Sequence, residues 1–213
     1  MKVFIDFDDV IFNTKDFSIY LKGFYASRGV SQELVQKYYY DPAAESELKL
    51  FNPEGLFLRL EQYEKIDVSK LRKNFTQQLK HLSRFVFDDV SKFLTKMSKE
   101  NVYLVSFGLP TFQSQKIQGS GVNKLVSDYI VTEKMKGQAI VQVMEKNKID
   151  FEEKLIFIDD RIAQIEDVKK TFPQALTFLL CRKEGRYCDQ KNDYCDYVAG
   201  DLRQVMEIIS GLE

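Results

Sequence analysis

The chain has 213 residues, of which 44% are hydrophobic and 30% are charged, and its formal net charge is −1. This composition is typical of a globular protein with one sizeable core, and it carries no basic signature for a nucleic acid polymer or an anionic membrane. No apolar run approaches the roughly 20 residues that cross a bilayer, and no separate apolar signal segment is recognisable. We therefore expect a cytoplasmic protein.

The first predicted element is a short buried strand that ends in three carboxylates. Residues 3–5 are apolar, and Asp6, Asp8 and Asp9 follow directly. The carboxyl ends of parallel strands are where open α/β sheets bind ligands. Clustered carboxylates repel one another unless a cation or protons neutralise them, and an oxygen-ligated cation such as Mg2+ would do so.

The following stretch, residues 15–84, is helical in pattern. Apolar residues recur at helical spacing over 17–24 and give one apolar face. Ser31 is a suitable N-cap for a second helix, and further helices are predicted over 56–63 and 69–82.

Two later strands also end in polar side chains. The strand predicted over 102–105 leads into Ser106, and the strand over 155–158 leads into Asp159 and Asp160. In a parallel sheet these ends lie on the same side as the end of the first strand. The sequence therefore predicts one crevice that gathers four or five carboxylates and a hydroxyl group.

The rest of the chain alternates helix and strand, as an α/β core requires. The predicted elements are helices over 87–99, 111–119, 137–144, 163–172 and 201–209, and strands over 128–131 and 176–180. Asp88 and Asp89 are interpreted as favourable to the dipole of the helix that they begin. Lys116 is interpreted as a lysine on a helix surface.

Taken in order, these strand ends resemble the motifs of the haloacid dehalogenase-like (HAD) superfamily of phosphoryl-transfer enzymes. The first motif is matched by Asp6-Phe7-Asp8, the second by Ser106 and the fourth by Asp159-Asp160. Each motif alone is weakly specific, but the ordered set is specific and covers nearly the whole chain.

The third motif of the family is a lysine that begins a helix. Lys134 and Lys136 are both candidates, and we favour Lys136 because a predicted helix follows it directly. The chain departs from the family at Asp9, where glycine is common, and this extra charge could alter metal affinity or the fit of a leaving group.

The resemblance implies a fold and a domain division. The expected fold is an α/β, Rossmann-like, doubly wound parallel sheet core with a small helical cap domain. Residues 1–14 and 85–213 would form the core and residues 15–84 the cap. A cap that closes over a site and excludes water suits small-molecule substrates. We therefore expect a small phosphorylated metabolite as partner, and a monomer or homodimer.

The resemblance also implies residue roles. Asp6 would be the nucleophile that forms an aspartyl-phosphate, and Asp8 would act first as acid and then as base. Ser106 and Lys136 would complete the catalytic set. The predicted phosphate-binding residues are Asp9, Ser106, Phe107 and Lys136. The predicted Mg2+ ligands are Asp6, Asp8 through its backbone carbonyl, Asp159 and Asp160, with Asp160 favoured over Asp159 as the direct ligand.

The expected reaction is Mg2+-dependent hydrolysis of a phosphomonoester, with a sugar phosphate or a nucleotide as open alternatives. Asp8 argues against carbon–halogen cleavage, because a departing halide needs no acid and dehalogenases of the superfamily usually lack this second aspartate. A phosphomutase shares all the motifs and remains an alternative, as does a non-catalytic ligand-binding protein. A receiver-type signalling module is disfavoured by the long insertion after the first strand.

Several residues outside the motifs could contact a ligand or have only a structural role. In the cap, the rings of residues 38–40 could stack on a substrate or only pack, and Arg28 and Arg59 could bind an anion or lie on the surface. Arg161 could pair with a neighbouring carboxylate. The three cysteines lack the spacing and the partners of a zinc site.

Overall fold

The computed structural model describes residues 1–39 and 50–212. Their centre is a sheet of six parallel strands in the order β3-β2-β1-β4-β5-β6. The strands are β1 (Lys2–Ile5), β2 (Val102–Phe107), β3 (Asp128–Thr132), β4 (Leu155–Asp159), β5 (Leu176–Leu180) and β6 (Tyr197–Ala199). The chain moves outward from β1 to β3 and then from β4 to β6, so the strand order reverses between β1 and β4, where such sheets bind ligands.

In the described residues, helices lie in every connection between consecutive strands except that between β5 and β6, and one helix follows β6. Between β1 and β2 lie α1 (Thr14–Ala26), α2 (Gln32–Tyr38), α3 (Pro53–Glu64), α4 (Ser69–Gln78) and α5 (Val90–Met97). The later helices are α6 (Pro110–Ser120), α7 (Lys136–Asn147), α8 (Ile162–Thr171) and α9 (Leu202–Gly211). None of the helices described here is long and apolar enough to cross a membrane. The predicted fold class, a doubly wound α/β sheet, is confirmed.

The interiors of the central strands are apolar because both faces of the sheet are covered by helices. In β1, Val3 and Ile5 point into one apolar cluster, which includes residues of α5, α6 and α9. Phe4 points to the opposite cluster, which includes residues of α7 and α8. This alternation buries every residue of the strand from Val3 onward.

The segments that lead into and out of α1–α4 lie side by side. The Asn13 amide donates to the Phe85 carbonyl at 2.7 Å, and the Phe87 amide donates to the Ile11 carbonyl at 3.0 Å. The side chain of Asn13 also caps α1, as it accepts from the Asp16 amide at 2.9 Å. The division into core and cap remains a prediction, because residues of α1–α4 and of the sheet share one apolar cluster.

Asp89 has a different role from the one that the sequence suggested. Its carboxylate is buried and makes no capping hydrogen bond to α5. It pairs instead with Arg182 at 2.8 Å and accepts from the Leu202 amide at the start of α9, also at 2.8 Å. Arg182 donates in turn to the Val10 carbonyl at 2.9–3.0 Å. This buried pair ties the loop after β1 to α5 and α9.

Candidate active site

Three buried carboxylates meet where β1 and β4 end. Asp6 follows β1, and its amide donates to the Ile158 carbonyl in β4 at 2.9 Å, which holds the two strand ends together. One carboxylate oxygen from each of Asp6, Asp159 and Asp160 lies within 4.8 Å of the others. We call these three residues, together with Lys136, the acidic cluster.

Lys136 is the cation of the acidic cluster. It is the first residue of α7 and is 1% exposed. Its ammonium group donates to Asp6 and, at 2.6 Å, to Asp159. The alternative lysine, Lys134, has an exposed side chain. Of the two lysines that the sequence left open, Lys136 is therefore the one that contacts the predicted nucleophile.

Burial raises the pKa of two members of the acidic cluster. For Asp6, desolvation outweighs the attraction of Lys136 and raises the pKa to about 7. For Asp160, burial and the neighbouring charges of Asp159 and Asp6 raise the pKa well above its usual range. Ionising several buried carboxylates next to one another costs free energy, and a bound cation would offset this cost.

The acidic cluster also has a free acceptor. Both oxygens of Asp159 have partners, Lys136 and the Arg161 amide at 2.9 Å. Asp160 Oδ2, by contrast, is buried without a hydrogen-bond partner. A buried unpaired carboxylate oxygen needs compensation, which a hard divalent cation provides. The donor set of Asp6, Asp159 and Asp160 therefore fits Mg2+.

Asp8 lies among different partners. Thr14 and Lys116 both donate to Asp8 Oδ1, Lys116 at 2.5 Å, and Gln113 donates to Asp8 Oδ2 at 2.6 Å. We call Thr14, Gln113 and Lys116 the Asp8 clamp. Burial alone would raise the pKa of Asp8, but Lys116 and Arg186 outweigh it and hold this pKa below its usual value. The Asp8 carboxylate is not part of the acidic cluster, and its predicted metal contact through the backbone carbonyl stays a prediction.

The interpretation of Lys116 as a surface residue is wrong. Its side chain is buried on the inner face of α6, next to Gln113 and between two apolar residues of the same face, Phe112 and Ile117. A lysine and a glutamine on one predicted helix are usually solvated. One feature of the sequence could have indicated their burial. Gln113 and Lys116 lie at helical spacing with the apolar residues Phe112 and Ile117, so they share the helix face that packs on the sheet.

Asp9 pairs with an arginine from the connection between β5 and β6. Its backbone has a positive φ of 57°, a conformation that favours glycine and that aspartate adopts more readily than most residues. Its amide donates to the Phe12 carbonyl at 2.7 Å, and its carboxylate accepts from Arg186 at 2.5 Å. Its second oxygen, Oδ1, is buried without a partner. The predicted role of Asp9 in phosphate binding stays a prediction.

Ser106 and Phe107 end β2 beside Asp8. Ser106 is fully buried, and its hydroxyl accepts from Gln113 at 2.7 Å, so its own hydrogen remains available to donate. Phe107 lines the cavity next to it. The side chain of Gln113 thus connects Ser106 to Asp8. The sequence alone does not predict this contact.

The site opens into a cavity of about 710 Å3. One part is lined by carboxylates and lysines of the acidic cluster and the Asp8 clamp. The other part is lined mainly by apolar and aromatic side chains of α1, α2 and α6 and of the segments that flank α2 and α3. These include Phe17, Leu21, Tyr25, Val35, Tyr39, Phe51 and Phe112.

Tyr38, Tyr39 and Arg28, which could have contacted a substrate, lie in different places. Tyr39 lines the cavity, whereas Tyr38 is buried and donates to Glu64 at 2.6 Å; Tyr40 lies outside the described residues. Arg28 follows the end of α1 and stacks on Phe24, 3.9 Å above the ring.

Two other arginines are also engaged. Arg59 donates to the Tyr38 carbonyl at 2.8 Å. Arg161 lines the cavity, but it pairs with Asp189 at 3.1 Å and not with a carboxylate of the acidic cluster.

Solved structures resemble this chain over its whole length. A protein from Burkholderia xenovorans LB400 that is described as a haloacid dehalogenase-like hydrolase has 16% identity and a TM-score of 0.76, with 98% of this chain and 96% of that chain covered. The HAD-hydrolase YfnB from Bacillus subtilis, bound to magnesium, has 14% identity and a TM-score of 0.66, with 98% and 97% covered.

A third similar structure is the L-2-haloacid dehalogenase from Xanthobacter autotrophicus with covalently bound chloropropionic acid. It has 13% identity and a TM-score of 0.63, with 100% of this chain and 99% of that chain covered. No family model and no curated protein matches the sequence. The chain has the fold of the haloacid dehalogenase-like hydrolases, as its motif order predicted.

Proposed function

We propose that the protein is a Mg2+-dependent phosphatase that hydrolyses a small phosphorylated metabolite through an aspartyl-phosphate on Asp6. The observation that carries the proposal is the contrast between two neighbouring aspartates. Asp6 lies in a cluster that fits a divalent cation, whereas the Asp8 carboxylate is held outside that cluster by side chains of the Asp8 clamp. Pairs of titratable groups in such different environments commonly divide acid–base and nucleophilic work.

Asp6, Asp159 and Asp160 would hold the metal ion, and the backbone carbonyl of Asp8 remains a proposed fourth ligand. When bound, Mg2+ would neutralise these carboxylates and the charge of the phosphoryl group. Lys136 adds a fixed positive charge next to Asp6, and the Ser106 hydroxyl can donate to a phosphoryl oxygen. Positioning and charge neutralisation are the main requirements of phosphoryl transfer.

The proposed reaction has two steps. In the first, an Asp6 carboxylate oxygen forms a bond to phosphorus, the phosphorus–oxygen bond to the leaving group breaks, and Asp8 gives its proton to the leaving oxygen. In the second, Asp8 takes a proton from water, the water oxygen attacks phosphorus, and the bond to Asp6 breaks to release inorganic phosphate. Asp8 is then protonated again for the next cycle.

Asp8 favours this reaction over carbon–halogen cleavage. A halide leaves without a proton, so a dehalogenase has no use for a second carboxylate that is held beside the site. The phosphomutase alternative differs in passing the phosphoryl group to a substrate hydroxyl and not to water. The cavity has the size of a small-molecule site, which supports a metabolite as the substrate.

The test is hydrolysis of para-nitrophenyl phosphate, and then of a panel of sugar phosphates and nucleotides, by the purified protein with Mg2+ or with a chelator. We expect phosphate release that needs the metal and is lost in Asp6→Asn. A 2-haloacid substrate should release no halide. Halide release without phosphate release would contradict the proposal, and phosphate transfer between two sugar positions would favour the mutase.

A further inference from the structure

Lys116 is a buried cation of the site that the proposed chemistry does not use. It is 3% exposed, and its ammonium group has two oxygen partners, Asp8 Oδ1 at 2.5 Å and Gln113 Oε1 at 3.1 Å. The same nitrogen lies 5.3–5.9 Å from the centres of four aromatic rings. These rings belong to Phe7, Phe12, Phe17 and Phe112.

This setting is unusual for a lysine with only a structural role. A lysine near a protein surface normally extends its ammonium group into water. Here the rings compensate part of the lost hydration, and Asp8 supplies the opposite charge. A buried ion pair is seldom a net source of stability when compared with apolar residues of the same volume. The arrangement therefore calls for a reason other than packing.

The contacts of Asp8 supply such a reason. A carboxylate has about four acceptor positions, two on each oxygen. Lys116 and Thr14 both donate to Oδ1, whereas Oδ2 accepts one hydrogen bond from the described residues, that of Gln113. The Asp8 clamp thus saturates one oxygen and leaves the other with room for a further partner.

We propose that Lys116 is a positioning residue, which holds Asp8 Oδ1 so that Oδ2 exchanges the proton with the leaving oxygen and then with water. The proposal rests on the proposed function, because Asp8 must be the proton-transfer group. Gln113 supports the same orientation, since its amide joins Asp8 Oδ2 to Ser106 in the second motif. In this role Lys116 acts through Asp8 and takes no part in the proton transfer itself.

The experiment compares Lys116→Met, Asp8→Asn and the double variant, with Gln115→Met as the matched control. Gln115 is an exposed residue of the same helix, so the control changes a long polar side chain of α6 without touching Asp8. Methionine replaces the lysine at similar volume among the four rings. Thermal unfolding of each variant establishes that it is folded.

We expect Lys116→Met to lower kcat by about ten- to a hundred-fold with KM little changed, because a misplaced catalytic group costs about that much. In the Asp8→Asn background the same substitution should change kcat by less than about two-fold, since residues that act as a unit are not additive. Gln115→Met should behave as wild type. The proposal would be overturned by an unchanged kcat in Lys116→Met. It would also be overturned if the loss of kcat in the double variant were the product of the losses in the two single variants.

Two further measurements separate this proposal from the proposed function. If Lys116→Met does not fold, Lys116→Gln keeps a donor without the charge, and its loss of kcat should likewise vanish in the Asp8→Asn background. If the wild type has no phosphatase activity, the proposed function fails and the crystal structure of Lys116→Met still decides the positioning. A changed Asp8 rotamer is expected, and an unchanged one overturns the role of Lys116.

Discussion

Asp6 and Asp8 are two residues apart in the chain, yet the fold gives them different neighbours. Asp6 belongs to the acidic cluster, which is built from strand ends and the first residue of α7. Asp8 is held by the Asp8 clamp, which is built from the beginning of α1 and the inner face of α6. One region is rich in negative charge and fits a cation, and the other has its charge compensated by protein.

The comparison shows how one short loop can serve two kinds of chemistry. The pKa of Asp6 is raised by burial, whereas the pKa of Asp8 is lowered by Lys116 and Arg186 despite burial. A mechanism that uses one carboxylate as the nucleophile and the other for proton transfer requires two different environments, which shift the two pKa values apart.

The largest expected effect comes from Asp6→Asn. An amide cannot form the aspartyl-phosphate, so we expect activity to fall by at least about a thousand-fold, the usual scale for loss of a nucleophile. Phosphate release from a synthetic phosphomonoester measures it. Asp193→Asn, at an exposed site, is the control that should retain full activity. Activity of Asp6→Asn near that of the control would remove Asp6 from the mechanism.

Lys136→Met should damage both activity and stability. The substitution leaves three carboxylates buried without their cation, and loss of one partner of a buried ion pair lowers the free energy of unfolding by about 3–5 kcal/mol. Urea unfolding in the presence of chelator measures this change, and Mg2+ should restore part of the loss. Lys134→Met changes an exposed lysine two residues away and should have little effect. A larger effect at Lys134 would reverse the assignment of the third motif.

The metal-free protein should become less stable as pH rises from about 4 to about 7. The pKa of Asp6 is 3.8 in the unfolded chain and about 7 in the fold, so the folded state binds more protons in this window. Its free energy of unfolding therefore falls by up to about 4 kcal/mol through Asp6 alone.

Urea unfolding at several pH values, with chelator present, tests this dependence. In Asp6→Asn the fall should be smaller, and Mg2+ should raise the stability of the wild type most at the upper end of the window. An identical pH dependence in wild type and variant would show that Asp6 is not responsible.

The smallest expected effects concern two glycines that let helices approach closely, one beside each region. At Gly119 in α6, a Cβ would overlap the carbonyl oxygen of Leu79, which is backbone and cannot turn away. At Gly137 in α7, it would meet mainly the side chain of Thr171, which can rotate. Gly119→Ala should therefore lower the free energy of unfolding by about 3 kcal/mol and Gly137→Ala by about 1 kcal/mol or less. Chemical denaturation measures both, and the reverse order would contradict the packing of α6.

The acidic cluster could be predicted because its signals are local. An apolar run followed at once by aspartate marks a strand and its carboxyl end, as at Asp6 and at Asp159-Asp160, and parallel pairing brings such ends together. Lys136 could be favoured because it stands at the start of a helix. The helices of the core were also recognisable from their apolar spacing, with boundaries that differ by a few residues.

The Asp8 clamp could not be predicted in the same way, because its members come together only in the folded protein. Lys116 and Gln113 are polar residues of a helix, and no local pattern indicates that they face a carboxylate 108 and 105 residues earlier in the chain, respectively. Arg186, the partner of Asp9, lies in the connection between β5 and β6, 177 residues away. Such long-range pairs depend on how the helices and loops pack on the sheet.

The central claim, that Asp6 is the phosphoryl acceptor in a site that binds Mg2+, is tested most directly with beryllium fluoride. This compound mimics a phosphoryl group on an aspartate, and its binding can be followed by fluorine NMR without a known substrate. We predict bound fluoride resonances that require Mg2+ in the wild type and that are absent from Asp6→Asn. No bound species in the wild type with Mg2+, or the same resonances in Asp6→Asn, would contradict the claim.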